Sequence, residues 1–486
     1  MESITIDYKS FKAGISSAQG VEDGGYSPLY GGHNLQEEKD GTLYPQGAAT
    51  APSSFTSELS GEPVLYVKSA LYGIALDSAI GIVLDTARRI VEHTATSTMN
   101  WAETLSSTYF TIGQNGDESG VAFQTDIYIA GNDDIALIPI DALGQVGTDN
   151  SSWWSVTRGH GALISGKKNL VVVEDTLYCI VKNKIHIWDG TSSQEDAMTL
   201  PPDFYATAAI KHTNGRDLIV FGTVKEDPSE SAAIAHRVYY INTVDLEFTD
   251  EIEINYEVHG AWNVGGTIYV TIGERVGIFN GTGIDPFYRL NLNLADNQSS
   301  DIRENAIWTH KGTKTDQGYL LLPDGNKILA IGNIGSGTIM WHPYDGYANI
   351  DVVHMVFNIG NKRIGLYGYT GADWTGTLKG YYFDLDDHDG AAKWAANKIR
   401  FNQKVWVRKI VIDHETLETG DDFTVSHVKE DGTEVEIRDV TYTKYGAQSE
   451  TRIDCNIYTD VFQPLIEWTT GGVGIKKITI FYENGE

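Results

Sequence analysis

Through its middle third the chain alternates apolar and polar positions in runs of five or six residues, broken by short polar turns, a pattern that predicts strands rather than helices. One stretch, Thr176-Leu-Tyr-Cys-Ile-Val-Lys-Asn-Lys-Ile-His-Ile-Trp-Asp-Gly-Thr191, aligns without a gap to Thr267-Ile-Tyr-Val-Thr-Ile-Gly-Glu-Arg-Val-Gly-Ile-Phe-Asn-Gly-Thr282. Apolar positions, turn positions and the closing Asp/Asn-Gly-Thr coincide. Fifty residues before the first copy, Asp126-Ile-Tyr-Ile-Ala-Gly-Asn-Asp-Asp-Ile-Ala-Leu-Ile repeats the pattern and sets Tyr128, Tyr178 and Tyr269 at one equivalent site. Each unit reads as a β-hairpin: an alternating strand, a polar turn and a second alternating strand.

Looser copies of the second strand start at Ile80, Val238, Ile328 and Tyr381. With Ile135, Ile185 and Val276 they are spaced 55, 50, 53, 38, 52 and 53 residues apart. Seven units of about 50 residues suit a β-propeller, whose four-stranded blades need about 40 to 50 residues each. Helical solenoids do not fit period-2 alternation, while a run of hairpins in a β-sandwich is the competing arrangement. No regular Gly-His and Trp-Asp blade signature is present, Trp188-Asp189 standing alone, and no Ser-x-Asp-x-Gly-x-Thr-Trp box occurs.

After Gly390 the strands lengthen and turn polar residues outward: Lys404-Val-Trp-Val-Arg-Lys-Ile-Val-Ile-Asp, Phe423-Thr-Val-Ser-His-Val, and finally Ile475-Lys-Lys-Ile-Thr-Ile-Phe-Tyr. That is the texture of an independent β-sandwich. The expected organisation is an all-β chain: a loop-rich N-terminal arm over 1–60, where Gly, Ser, Pro and Ala crowd 41–61, a propeller of about seven blades over 61–392, and a C-terminal β-sandwich over 393–486.

Composition narrows the function. With 36 basic and 66 acidic residues among 486, the formal charge of −30 is spread along the chain, and no Lys/Arg-rich run is present to grip nucleic acid or anionic membrane. Cys179 and Cys455 match no metal-ligand or redox spacing. The first residues lack the basic and apolar regions of a signal peptide, and the most apolar stretch, 69–87, is interrupted by Asp77 and Asp85, so neither export by that route nor membrane insertion is expected.

Chemistry is hard to find. His-Glu-x-x-His, Gly-x-Ser-x-Gly, Gly-x-Gly-x-x-Gly and P-loop patterns are absent, so no catalytic, cofactor-binding or metal-binding residue is assigned and the chain is expected not to be an enzyme. Asp384-Leu-Asp386-Asp387-His-Asp389-Gly390 gathers carboxylates that would suit a hard cation, but its spacing misses the EF-hand loop and it reads better as a solvated inter-domain turn. Asp133-Asp134 and Asp421-Asp422 have the composition of paired glycosidase carboxylates, yet both fall at predicted turns, where Asp serves the backbone. Trp153-Trp154, with Arg158 and His160 nearby, reads either as a sugar-stacking or interface platform or, more economically, as core.

The opening Tyr26-Ser-Pro-Leu-Tyr-Gly-Gly-His-Asn34-Leu35, then Gly41-Thr-Leu43-Tyr-Pro, resembles the start of β-propeller proteins of tailed-bacteriophage virions, in which an Asn-Leu step and a Gly-x-Leu step precede the first blade. The junction is similar as well: a last blade ending Tyr-Phe-Asp-Leu-Asp, an Asp-His-Asp-Gly turn, and a sandwich opening on Val405-Trp-Val-Arg-Lys-Ile-Val-Ile. The resemblance implies a structural protein of the tail or neck, of nozzle, tail-hub or ring type. Such a protein forms a homo-oligomeric ring, contacts other tail, neck or portal-associated virion proteins, lets genomic DNA pass without tight binding, and assembles in the bacterial cytoplasm without a cofactor. Two other readings stay open: a carbohydrate-active or glycan-binding propeller, and a cellular scaffold for peptide partners.

Overall fold

Strands such as Thr176–Val181, buried along nearly their whole length, must be covered on both faces, and radial stacking of sheets does this. The computed structural model, which describes 1–7, 35–37, 42–47, the strands between 64 and 104, 119–139, 151–226, 233–290, 312–331, 338–341, 352–369, 378–469 and 471–485 apart from a few isolated positions, has that arrangement. Antiparallel sheets occupy 64–104, 119–152, 168–199, 204–254, 260–289, 313–341 and 352–384, here numbered blades 1 to 7; all are four-stranded except blade 7, with three described strands. The first strand of each blade touches the first strand of the next, and Val352–Gly360 of blade 7 returns to Val64–Lys68 of blade 1, closing the ring. The chain is a seven-bladed β-propeller carrying a C-terminal β-sandwich.

The repeat has a packing cause. In the second strand of blade 3, Thr176–Val181, Leu177 and Cys179 join a core shared with Phe123, Tyr128 and Ile135 of blade 2, whereas Tyr178 and Ile180 join a core shared with Phe204, Leu218 and Tyr239 of blade 4. Period-2 alternation therefore divides the side chains between two neighbours. Tyr128, Tyr178 and Tyr269 all lie third in the second strand of their blades, opposite Leu137, Ile187 and Ile278 of the third strands. Two of them stitch blades together: Trp188 Nε1 of blade 3 donates to the Tyr128 hydroxyl (3.1 Å), and the Tyr178 hydroxyl donates to the Thr243 carbonyl of blade 4 (3.3 Å).

The closing Asp/Asn-Gly-Thr is an Asx turn into the fourth strand. Asp189 Oδ1 accepts from the Thr191 and Ser192 amides, and Asn280 Oδ1 accepts from those of Thr282 and Gly283. Gly190 (φ 91°) and Gly281 (φ 92°) supply the left-handed residue each turn requires. One repeat assignment shifts: Ile135, Ile185, Val238, Val276, Ile328 and Tyr381 lie on third strands, but Ile80 begins the second strand of blade 1, Ile80–Asp85. Its alternation is the same, and alternation does not number strands.

The N-terminal segment departs more seriously from expectation. Its described strands are no loop-rich lead-in but part of the sandwich. Glu2–Ile6 pairs along Ile475–Asn484, with Ile6 opposite Ile478, and Leu43–Pro45 continues the same edge, with Leu43 opposite Ile475. That sheet runs Leu35–Glu37, Leu43–Pro45, Ile475–Asn484, Ile399–His414, Glu450–Phe462, and faces a second one ordered Ala392–Ala395, Pro464–Trp468, Asp422–Val428, Glu434–Thr441. In Ile399–His414 the inward residues Val405 and Val407 and then Ile410 and Ile412 are offset by a bulge at 407–409, the origin of the broken alternation in the sequence. Of the N-terminal resemblance, 26–34 and 41 lie outside the described residues.

One core joins both parts. Leu35, Leu43 and Ile6 pack with Trp394, Phe423, Trp468 and Ile480 of the sandwich in a cluster that continues through Tyr319 and Ile328 of blade 6 to Val356, Leu366 and Phe383 of blade 7.

Candidate functional site

Trp153 and Trp154 are core, not platform. They open a π-helical turn, Trp153–Thr157, that fills the gap between blades 2 and 3, and both are about 2% exposed or less. Trp153 packs edge-on against Tyr128 (5.2 Å) and Trp188 (4.9 Å), while the Arg158 guanidinium covers the outer face of Trp188 at 3.9 Å. His160 stacks on Trp154 (4.1 Å) and bonds the Ser193 hydroxyl at 2.6 Å. Burial holds the neighbouring His186 below the usual imidazole range, and its Nδ1 accepts the Asp196 amide. Ring packing and these hydrogen bonds commit the cluster to structure, although Trp154 Nε1 and His186 Nε2 are buried without a hydrogen-bond partner among the described residues.

Neither carboxylate pair forms a general acid and base. Asp134 is buried and accepts from the amides of Ile135 (2.7 Å), Trp154 (3.1 Å) and Ser155 (3.1 Å) and from the hydroxyls of Ser152 and Ser155, so its lone pairs are spent holding the π-helical turn. Asp421 and Asp422 lie in the sandwich, where they cap the amides of Glu418 (2.7 Å) and Thr469 (3.4 Å). Residues that sequence alone could pair only by composition stand in different domains.

The acidic turn at 384–388 is not a solvated linker, contrary to expectation. Gly47 donates its amide to the Asp387 carbonyl (2.8 Å), Gln46 Nε2 donates to the Asp384 carbonyl (3.1 Å), and Tyr44 stacks on His388 at 4.3 Å. The turn is the seat of the N-terminal strand. Asp389 lies outside the described residues, and among those described no group of three His, Cys, Asp or Glu side chains is placed to hold a metal ion. Burial pushes the Cys179 thiol up to about 12 and that of Cys455 up to about 11, which makes both poor nucleophiles.

Sequence reasoning missed a basic pocket of about 200 Å3 at the mouth of blades 3, 4 and 5. Lys167 leads into the first strand of blade 3, Lys182 sits in the turn between that blade's second and third strands, and Lys225 follows the second strand of blade 4. Antiparallel order puts all these positions at one end of the blades, the face where the chain crosses between them. Tyr205, Thr207 and Thr223 of blade 4 and Glu257, which precedes blade 5, also line the pocket. Thr207 falls where the first strand of blade 4 slips register between Ala206 and Ala208, a bulge that turns an extra residue into the cavity. Lys167 Nζ reaches across to the His259 carbonyl (2.7 Å), and Lys225 Nζ stands 5.5 Å from the centre of the Tyr205 ring. Desolvation, with Lys167 and His236 adding positive field, takes His259 down to about 3, so it stays neutral at physiological pH. The lysines are too far apart in sequence to form a run; only the ring brings them together.

Charge is segregated around this face. The first strands of the seven blades contain no Asp or Glu, whereas the outermost strand of blade 4, Glu247–Ile254, carries Glu247, Asp250, Glu251 and Glu253. The acidic outer edge of blade 4 opposes edge-to-edge strand pairing and accounts for part of the −30 without placing it at the centre.

No protein-family model and no curated protein matches the chain. Solved structures are similar to it at low identity and low TM-score. The extracellular domain of a putative hybrid two-component system from B. thetaiotaomicron is 11% identical over 85% of this chain and 47% of that one, with a TM-score of 0.42. An exo-β-1,3-galactanase from Phanerochaete chrysosporium is 10% identical over 90% of this chain and all of its own, at a TM-score of 0.30. A glycoside hydrolase family 43 arabinoxylan arabinofuranohydrolase from Bacillus subtilis is 11% identical over 77% and 96%, at 0.24. These similarities concern fold alone. The expectation that the chain is not an enzyme is corrected: two of these similar structures are glycoside hydrolases, and the absence of familiar catalytic motifs does not support a non-enzyme.

Proposed function

We propose that the chain is a structural component of a tailed-bacteriophage virion, part of a tail nozzle, hub or head-to-tail ring around the DNA passage, and that it works as a homo-oligomeric ring in contact with other tail, neck or portal-associated proteins. The observation that carries this reading is the way the N-terminal strands, the last two blades and the sandwich share one core, with the turn at 384–388 clasped by Gln46 and Gly47. A part that bears load between neighbours needs its domains locked, and interdomain contacts that merely touch would let them move. The resemblance of the opening and junction segments to such virion proteins points the same way, as does the lack of any basic run that would hold passing DNA. The second reading, a glycan-binding or glycan-cleaving propeller, is favoured by the polar pocket between blades 3, 4 and 5.

The deciding experiment is electron microscopy of the purified protein and of native particles carrying a small tag on the C-terminus. Closed rings in the first and tag density at the tail or neck in the second are the expected results. A protein that stays monomeric at high concentration and is absent from particles would defeat the proposal.

A further inference from the structure

We propose that the pocket between blades 3, 4 and 5 is a binding site for an oxyanion, carboxylate or phosphate, carried by a molecule of about monosaccharide size. Three independent features support this. The first is charge: Lys167, Lys182 and Lys225 converge from three separate elements, against one carboxylate, Glu257, in a chain whose overall charge is −30. Lys182 and Lys225 form no ion pair among the described residues, Lys225 standing over the Tyr205 ring instead, so their ammonium groups remain available to an anion. Three like charges around one cavity repel each other, and an oxyanion that accepts from several at once relieves that repulsion while making charge-assisted hydrogen bonds.

The second feature is shape. About 200 Å3 is room for roughly six waters at ~30 Å3 each, or for one sugar-sized ring with its charged substituent. It falls below the range of roughly 300 to 1,000 Å3 typical of drug-sized ligands. The third is the lining. Tyr205 presents a ring, Thr223 a hydroxyl, Thr207 an oxygen whose proton goes to the Phe221 carbonyl (3.5 Å), and Glu257 can accept from a ligand hydroxyl, a mixture that suits a polar ring rather than a bare ion. The bulge at 206–208 supplies the same hint, because a register slip is what turns Thr207 into the cavity. This assignment is independent of the virion reading: a monomer that never forms rings would still bind.

The test is calorimetric titration of the full chain at low salt with glucuronate, glucose 6-phosphate and glucose. One or both of the anionic sugars should bind, the pair distinguishing carboxylate from phosphate, and glucose should bind at least about tenfold more weakly. The double variant Lys182→Gln, Lys225→Gln should lose at least about tenfold in affinity for whichever anion binds, as expected for two charge-assisted contacts. Glu257→Gln should change affinity in the opposite direction, tightening it, because it removes the one opposing charge; this variant guards against a loss that merely reflects misfolding. Failure of both anionic sugars to bind at millimolar concentration, equal binding of glucose, or unchanged affinity in the double variant would overturn the assignment.

Discussion

Leu43→Ala should destabilise the whole C-terminal half of the molecule, although Leu43 stands some 350 residues from the sandwich in sequence. Leu43 is completely buried and lies opposite Ile475, in a core with Trp394 and Trp468. Truncating it removes the transfer free energy of a buried leucine and leaves a cavity in a core that can collapse only partly, a loss of about 2 to 5 kcal/mol. Leu35→Ala and Ile6→Ala, at 0% and 1% exposure, should cost similar amounts. Ile6 and Leu43 pair three residues apart on the same partner strand, so their double variant should deviate from additivity. The assay is urea denaturation of the full chain followed by tryptophan fluorescence, for which Trp394 and Trp468 are local reporters. Ser3→Ala, at an exposed position of the same N-terminal strand, is the control and should stay within about 0.5 kcal/mol. Should Leu43→Ala and Ile6→Ala both behave like Ser3→Ala, the N-terminal strands are a loose arm and the shared core is refuted.

Asp134→Ala removes the acceptor of three backbone amides and two hydroxyls in a buried turn; a loss of about 3 kcal/mol or more is expected, read by calorimetry, and an unchanged melting temperature would show the turn holds without it. Gly390→Ala would place a Cβ 2.0 Å from the Gln46 carbonyl oxygen, so the clasp should open and protease cleavage near 384–388 should accelerate severalfold, with no acceleration counting against the clasp. For pH, His259 has a folded value of about 3, below the ordinary 6.5, so the unfolded chain takes up the proton first as pH falls. Its contribution to stability is therefore complete above about pH 6.5 and is lost progressively towards pH 3, amounting to about 2 kcal/mol at pH 5. His259→Gln should reduce the stability difference between pH 7 and pH 5 by about that amount, and an unaltered difference would show that His259 is not the group responsible.

Local pattern alone determined a good deal of this protein. Alternation made the strands, the Asp/Asn-Gly-Thr closures made the turns, and the spacing of the repeats made the ring of about seven blades, because each of these depends on residues close in sequence. Tyr128, Tyr178 and Tyr269 could be equated from flanking residues for the same reason. The tertiary structure decided what depends on contacts between distant segments. A strand such as Glu2–Ile6 carries no mark of the edge it will pair with, so its place beside Ile475–Asn484 was illegible, and with it the true nature of the 384–388 turn. Trp153-Trp154 read more economically as core and Asp133-Asp134 as turn residues, but composition does not reveal burial, and only the structure showed the Asp134 carboxylate committed to five hydrogen bonds. The basic pocket was hidden by the opposite effect: Lys167, Lys182 and Lys225 are ordinary turn lysines along the chain, and only the closing of the blades around an axis sets their charges facing one cavity.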